Sequence, residues 1–137
     1  MAATLLHLSV AAADPRRAAE LLAELSGGTV EPFTAPGLTG AFVCLWPNGQ
    51  LVEFVPRGVH LRPGGRFSVG ASPGPNSTHF QLRVPQTTLA QVQTLARTSG
   101  CELRFRGPSR GGPLQELWLE PELMVELVLD PETTPRA

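Results

Sequence analysis

The sequence predicts an α+β fold of two tandem βαβββ modules. The first observation behind this is a repeat: a strand-borne His, a Gly after a helix, a Trp and a strand-borne Glu occur twice. One copy is His7, Gly28, Trp46 and Glu53; the other is His79, Gly100, Trp118 and Glu126. The offsets are 79−7=72, 100−28=72, 118−46=72 and 126−53=73, in a chain with only three His and two Trp. Rare residues falling on one period mark an internal duplication. The extra step is expected in the last turn, which reads Pro47-Asn48-Gly49-Gln50 in one copy and Leu119-Glu120-Pro121-Glu122-Leu123 in the other. The second observation is that each copy reads strand, helix, strand, strand, strand.

In the first copy, segment 4–10 alternates: Leu6, Leu8 and Val10 share one face, Leu5, His7 and Ser9 the other. Asp14-Pro15 starts a helix, with Asp as N-cap and Pro at the first helical position. Ala18, Leu21, Leu22 and Leu25 form its apolar stripe, and Gly27-Gly28 stops it. Strands follow at Thr29–Phe33, Gly40–Trp46 and Gln50–Val55, the last two joined through the turn-forming Asn48-Gly49. In the second copy a strand at Thr78–Val84 precedes a helix from about Thr87 to Thr98, striped by Leu89, Val92, Leu95 and Ala96. Strands at Glu102–Arg106, Leu114–Glu120 and Leu123–Leu129 complete it. Module 1 is therefore placed at residues 1–56 and module 2 at 78–130, as lobes of one domain. A connector rich in Gly and Pro occupies 57–77, and a frayed tail follows from 131 to 137.

Composition narrows the function classes. A net charge of −1 creates no broad field for nucleic acid or an anionic membrane, so neither is expected as a partner. Lys, Ile and Tyr are absent and all eleven basic residues are Arg, the signature of a GC-rich, bacterial genome rather than of phosphate recognition. Cys44 and Cys101 lie in apolar, strand-like runs without metal-knuckle or redox spacing, and read as buried thiols in a reducing cytosol. No apolar run approaches the roughly 20 residues a membrane span needs. The apolar start, Leu5 to Ala13, lacks a basic flank and is interrupted by His7, so it reads as a first strand and the protein as cytoplasmic.

Two imidazoles and two carboxylates on matched strands are a ligand set for a divalent metal. Strand alternation puts Leu51, Glu53 and Val55 on one face, and Met124, Glu126 and Val128 on one face. A carboxylate in such surroundings is costly to bury without a cation or donor, and neither Glu has one beside it in sequence. A metal held by His7, Glu53, His79 and Glu126 would compensate both. The competing reading makes the His residues hydrogen-bonded structural groups and the Glu residues outward and solvated. Trp46 and Trp118 read as core or site wall, and His60 as exposed in the connector. Arg83 shares a face with His79 and Gln81 and is a candidate contact for a substrate carboxylate. Arg104, Arg106 and Arg110 read as exposed.

The segments Leu5-Leu6-His7-Leu8-Ser9-Val10, Leu51-Val52-Glu53-Phe54-Val55, Thr78-His79-Phe80-Gln81-Leu82 and Met124-Val125-Glu126-Leu127-Val128 give the chain a resemblance to the vicinal-oxygen-chelate superfamily. That group comprises the glyoxalases, bleomycin-resistance proteins and extradiol dioxygenases. The resemblance spans nearly the whole chain. It implies paired βαβββ units whose curved mixed sheets form a cleft around a metal, with ligands from the first and fourth strands of each unit. The His/Glu/His/Glu pattern is most similar to bacterial glyoxalase I.

By that resemblance the protein is a lyase or isomerase moving a proton next to a carbonyl. Its substrate would be a 2-oxoaldehyde–thiol adduct or a thioester, and a low-molecular-weight thiol a possible co-substrate. Glu126 and Glu53 would act as base and acid, beside one nickel, zinc, cobalt, iron or manganese ion. Relatives of this size commonly share the site between two chains, so a homodimer is expected. The first helix has Arg17-Ala18-Ala19-Glu20-Leu21 in place of the aromatic pair common in glyoxalase I, which leaves the substrate open. The alternatives are a metal-free drug- or metabolite-binding protein of the bleomycin-resistance type and a ring-cleaving dioxygenase. Glu53 argues against the last, because it fills a position oxygen would need.

Overall fold

The computed structural model describes residues 5–62, 66–70, 79–109 and 112–129. The tail from Pro131 and the loop residue Arg110 lie outside them. The chain forms two compact units, Met1–Asn76 and Ser77–Ala137.

Unit 1 begins with β1 (His7–Ala12), α1 (Pro15–Ser26), β2 (Thr29–Ala35), β3 (Leu38–Leu45) and β4 (Leu51–Pro56). The strands form one sheet in the order β1-β4-β3-β2. β1 and β4 run parallel, while β2–β3 and β3–β4 are antiparallel. Asp14 caps α1 by accepting a hydrogen bond from the Arg17 amide at 3.1 Å, and Pro15 takes the first turn, where no intrahelical donor is needed. The expected stripe is the buried one: Ala18, Leu21, Leu22 and Leu25 are covered, together with Ala19. They cover Val10, Ala12, Val52, Phe54 and Cys44, all buried on the strands that α1 packs against. Residues His7, Ser9 and Glu53 fall on the opposite face of this sheet, as the alternation predicted.

The predicted connector contains two strands. β5 (Val59–Arg62) and β6 (Arg66–Val69) pair as an antiparallel hairpin. The amide of Phe67 donates to the Pro36 carbonyl at 3.0 Å, tying the hairpin to the turn between β2 and β3. Gly37 in that turn has φ 80, and a Cβ there would stand 2.1 Å from the Phe67 carbonyl oxygen, so only glycine permits the approach. His60 is exposed, as expected.

Unit 2 repeats the plan with β7 (His79–Val84), α2 (Leu89–Ser99), β8 (Glu102–Ser109), β9 (Gly112–Glu120) and β10 (Leu123–Leu129). Its sheet order is β7-β10-β9-β8, with β7 and β10 parallel. Thr88 and Gln91 form a reciprocal capping box at the start of α2. Val92, Leu95 and Ala96 are buried on α2; Leu89, expected with them, is only partly covered because it opens the helix. Val125, Leu127 and Leu129 are buried along the alternate positions of β10.

Strand pairing corrects the placement of the extra residue in the repeat. The helix-ending glycines in the left-handed conformation are Gly27 and Gly100, with offset 100−27=73, so Gly100 corresponds to Gly27 rather than Gly28. Thr29 pairs with Leu45 and Leu45 with Leu51, whereas Glu102 pairs with Trp118 and Trp118 with Met124. Both final hairpins therefore hold five residues between equivalent pairs (46–50 and 119–123), and neither has an insertion. The change lies earlier. Two residues separate β1 from α1 and four separate β7 from α2, while α1 has 12 residues and α2 has 11.

Trp118 thus takes the position of Leu45, not of Trp46. Trp46 instead donates its indole N–H to Ser26 Oγ at 2.7 Å, at the end of α1. Gly28 lies beneath it, where a Cβ would stand 2.6 Å from Cys44 Sγ. The two aromatic positions share an approximate period but not a role.

Cys44 is fully buried in this cluster, and burial pushes its thiol up to about 11, against a smaller opposing effect of Ser26. The raised value makes the thiol's contribution to stability complete below its ordinary 9.0 and lost as pH climbs towards about 11. At pH 8, Cys101, which is partly exposed, is expected to react with an aromatic disulfide reagent while Cys44 stays inert until the protein is unfolded. Two thiols reacting at one rate in the native protein would contradict this.

Candidate functional site: a His/Glu pair in each unit

The parallel pairing of first and fourth strands sets the site geometry. In unit 1 His7 pairs with Leu51 and Ser9 with Glu53; in unit 2 His79 pairs with Met124 and Gln81 with Glu126. Each Glu is therefore diagonal to its His by two residues, on the same face of its sheet. The registers coincide, so the duplication preserves the relation between imidazole and carboxylate.

In unit 2 that relation is a contact. His79 Nε2 is 3.2 Å from Glu126 Oε1, with the His half-exposed and the Glu buried. The other carboxylate oxygen, Oε2, accepts from Arg106 Nη2. Arg106 Nη1 donates to Glu116 Oε2 at 3.1 Å, and Glu116 Oε1 accepts the Trp118 indole N–H at 3.3 Å. Glu116 and Glu126 are direct cross-strand partners, a like-charge pairing that would repel. The planar fork of Arg106 resolves it by holding one oxygen of each.

In unit 1 Glu53 is half-buried and its Oε2 accepts from Ser9 Oγ at 2.5 Å, the residue opposite it in register. His7 is exposed. The sequence-based argument that nothing local compensates the two carboxylates is corrected here: Ser9 serves Glu53, while Arg106 and His79 serve Glu126. Neighbours in sequence point to the opposite face of a strand, so the partners come from other strands: Ser9 directly opposite Glu53, His79 diagonal to Glu126 on the next strand, and Arg106 from two strands away. Arg106 was expected to be merely exposed. It is half-exposed, but its guanidinium is spent on the sheet face. Its signal in the sequence was its place on the same face as Arg104 and Glu102, two and four residues back along one strand.

Arg83 is exposed two residues beyond Gln81 on β7, on the face of His79, and is paired in register with Val128. Among the described residues no side-chain partner holds it, unlike Arg104, which pairs with Glu102 at 2.5 Å.

The donor set of unit 2 fits a metal at the level of a pair. Ligand atoms each about 2.0–2.2 Å from one ion lie roughly 3.0–3.5 Å from one another, and His79 Nε2 and Glu126 Oε1 have that separation. Among the described residues no three His, Cys, Asp or Glu side chains gather closely enough to hold an ion. What each unit displays is half of the predicted ligand set.

No family model matches the chain, and no curated protein matches it. Solved structures do. A point mutant of FosX, a fosfomycin resistance protein of Listeria monocytogenes, crystallised with Mn(II) and 1S,2S-dihydroxypropylphosphonic acid, superposes with a TM-score of 0.63 at 13% identity, over 95% of this chain and 94% of that one. The oxidase ChaP-H2 gives 0.58 at 21% identity, over 96% of each chain. A possible glyoxalase from Bacillus cereus gives 0.56 at 15% identity, covering 93% of this chain and 99% of that one. The chain therefore shares the fold of these proteins, a glyoxalase-like one: α+β, with two four-stranded mixed sheets, each carrying a helix. No helix among the described residues is long and apolar enough to cross a membrane.

Removing the bridging guanidinium should be felt more than removing an exposed one. Arg106→Met is expected to cost about 1–3 kcal/mol, below the figure for fully buried pairs because Arg106 is half-exposed. Arg104→Met, whose pair is exposed, should cost about 0–1 kcal/mol. Urea unfolding midpoints of the two variants provide the comparison, and equal losses would contradict the bridge.

Proposed function

We propose that this protein is a divalent-metal-dependent enzyme of the glyoxalase type, moving a proton next to the carbonyl of a small oxygen-chelating substrate. The observation that supports it most is the repeated register: each unit carries a His and a Glu in the same diagonal relation on its first and fourth strands. Duplication copies any pair at first; that this one is kept in register while the groups around it diverged is what a ligand set drawn equally from two repeats would require. In this reading His7, Glu53, His79 and Glu126 hold the ion. When bound, it would polarise the substrate oxygens and stabilise negative charge developing on them.

The chain's own groups account for the rest. Glu53 and Glu126 are the candidates to take and return the migrating proton. They are not equivalent, since Glu126 is gripped at Oε2 by a guanidinium and Glu53 accepts, among the described residues, from the Ser9 hydroxyl. Arg83 is proposed to contact an anionic group of the substrate. The Mn(II) in FosX structures supports a divalent ion as cofactor for this fold and leaves the choice among nickel, zinc, cobalt, iron and manganese to availability. A homodimer, a bacterial origin and a cytoplasmic site of action remain part of the proposal, as does a low-molecular-weight thiol co-substrate.

One observation favours the metal-free binding protein as second reading: Arg106 already supplies a cation to Glu126. Elemental analysis separates the two. The wild type is expected to retain one divalent ion per chain and His7→Ala to lose it, while both keep their sheet content. A chelated wild-type protein whose melting temperature is unmoved by every candidate ion would favour the binding protein.

Chemistry is tested on the metal-loaded protein with hemithioacetals of 2-oxoaldehydes and with epimerisable thioesters. Replacing the proton-transferring carboxylate, through Glu53→Gln or Glu126→Gln, is expected to lower turnover on the order of 10²–10⁴-fold. The isomerase assignment fails if the metal-loaded wild type does not exchange the α-proton of either substrate class with solvent.

A further inference from the structure

We infer that Arg106 and Glu116 form a charge-neutral positioning unit, which aims Oε1 of Glu126 at the ion while leaving that carboxylate its charge. The inference rests on the metal reading above and assigns work to two residues which that reading does not use.

The geometry carries it. Glu126 has two oxygens, and Arg106 holds Oε2 while Oε1 faces His79 Nε2 at 3.2 Å. A free carboxylate rotates about its last torsion, and holding one oxygen stops that rotation. The remaining oxygen then points where the imidazole already is. Outer groups that fix a ligand in this way generally matter for affinity.

A lone guanidinium would do this at a cost, because its positive charge opposes a cation a few ångströms away. Glu116 removes that cost. It takes the second arm of the fork, Nη1, at 3.1 Å, so that Arg106 and Glu116 sum to zero. Glu116 is in turn held by the Trp118 indole at 3.3 Å, which keeps its carboxylate on the sheet face. Arg106 reaches both carboxylates from β8, one strand beyond Glu116 and two beyond Glu126. The guanidinium fork offers separate N–H groups, Nη1 to Glu116 and Nη2 to Glu126; an ammonium has its three donors on one nitrogen and cannot reproduce that spacing.

Two variants separate aim from charge. Arg106→Lys keeps the charge and loses the fork; Glu116→Gln keeps the shape and the Trp118 contact but leaves Arg106 unneutralised. Each is titrated with Co(II) by calorimetry, with the visible absorption of the bound ion recorded, beside melting temperatures of the metal-free proteins. Both variants are expected to bind Co(II) about 10–100-fold more weakly than the wild type. Arg106→Lys should also shift the Co(II) absorption, which lost stability alone would not do. Wild-type affinity and spectrum in both folded variants would overturn the inference while leaving the metal reading intact. Failure of the wild type itself to bind Co(II) would overturn the metal reading. Should Arg106→Lys fold poorly, Glu116→Gln decides, because a wild-type Co(II) affinity in that variant is incompatible with a neutralising role.

Discussion

The parallel pairing of the first and fourth strands is the constraint on which the rest of each unit depends. A strand followed by a crossover helix and two antiparallel returns brings the fourth strand back beside the first, pointing the same way. Because side chains alternate with period two, residues in register lie on one face, and a one-residue slip would move every polar group to the helix side. His7, Ser9 and Glu53 share the face away from α1 for this reason, and His79, Gln81 and Glu126 share the corresponding face of unit 2.

The same pairing explains why charge is tolerated there. Glu126 is buried, yet it belongs to a row that runs across four strands and includes donors from two of them. Its compensation is assembled laterally, by Arg106 from β8 and His79 from β7, across hydrogen-bonded strands. The two units solve the problem differently. Unit 1 uses a hydroxyl directly opposite its half-buried Glu53, and unit 2 uses a forked cation shared with a second carboxylate. Duplication preserved the His/Glu register while the supporting groups diverged.

That divergence bears on chemistry. Were both carboxylates to serve the proposed site, identical surroundings would leave base and ligand indistinguishable. Here their surroundings differ in the number and charge of the donors that hold them. The difference arises from residues that do not repeat: Ser9 stands where the second copy has Gln81, and Arg106 has no counterpart in unit 1, since 106−73=33 falls on Phe33.

The sequence by itself determined the order of elements within each repeat, the start of α1, the buried stripe of α1, the strand faces and the place of His and Glu on the first and fourth strands of each copy. These follow from periodicity and capping, which are local: a stripe at helical spacing or an Asp before Pro acts on its own segment. Tertiary structure decided the true correspondence of the repeats, with Gly27 matching Gly100 and Trp118 matching Leu45, because register is a property of two strands together. A shared residue type can fall on the period without sharing the position, as Trp46 did. Tertiary structure also decided that Ser9, Arg106 and His79 are the groups that hold the two carboxylates. Their contacts span 53−9=44, 126−106=20 and 126−79=47 positions along the chain, and such partners exist only once strands are laid side by side.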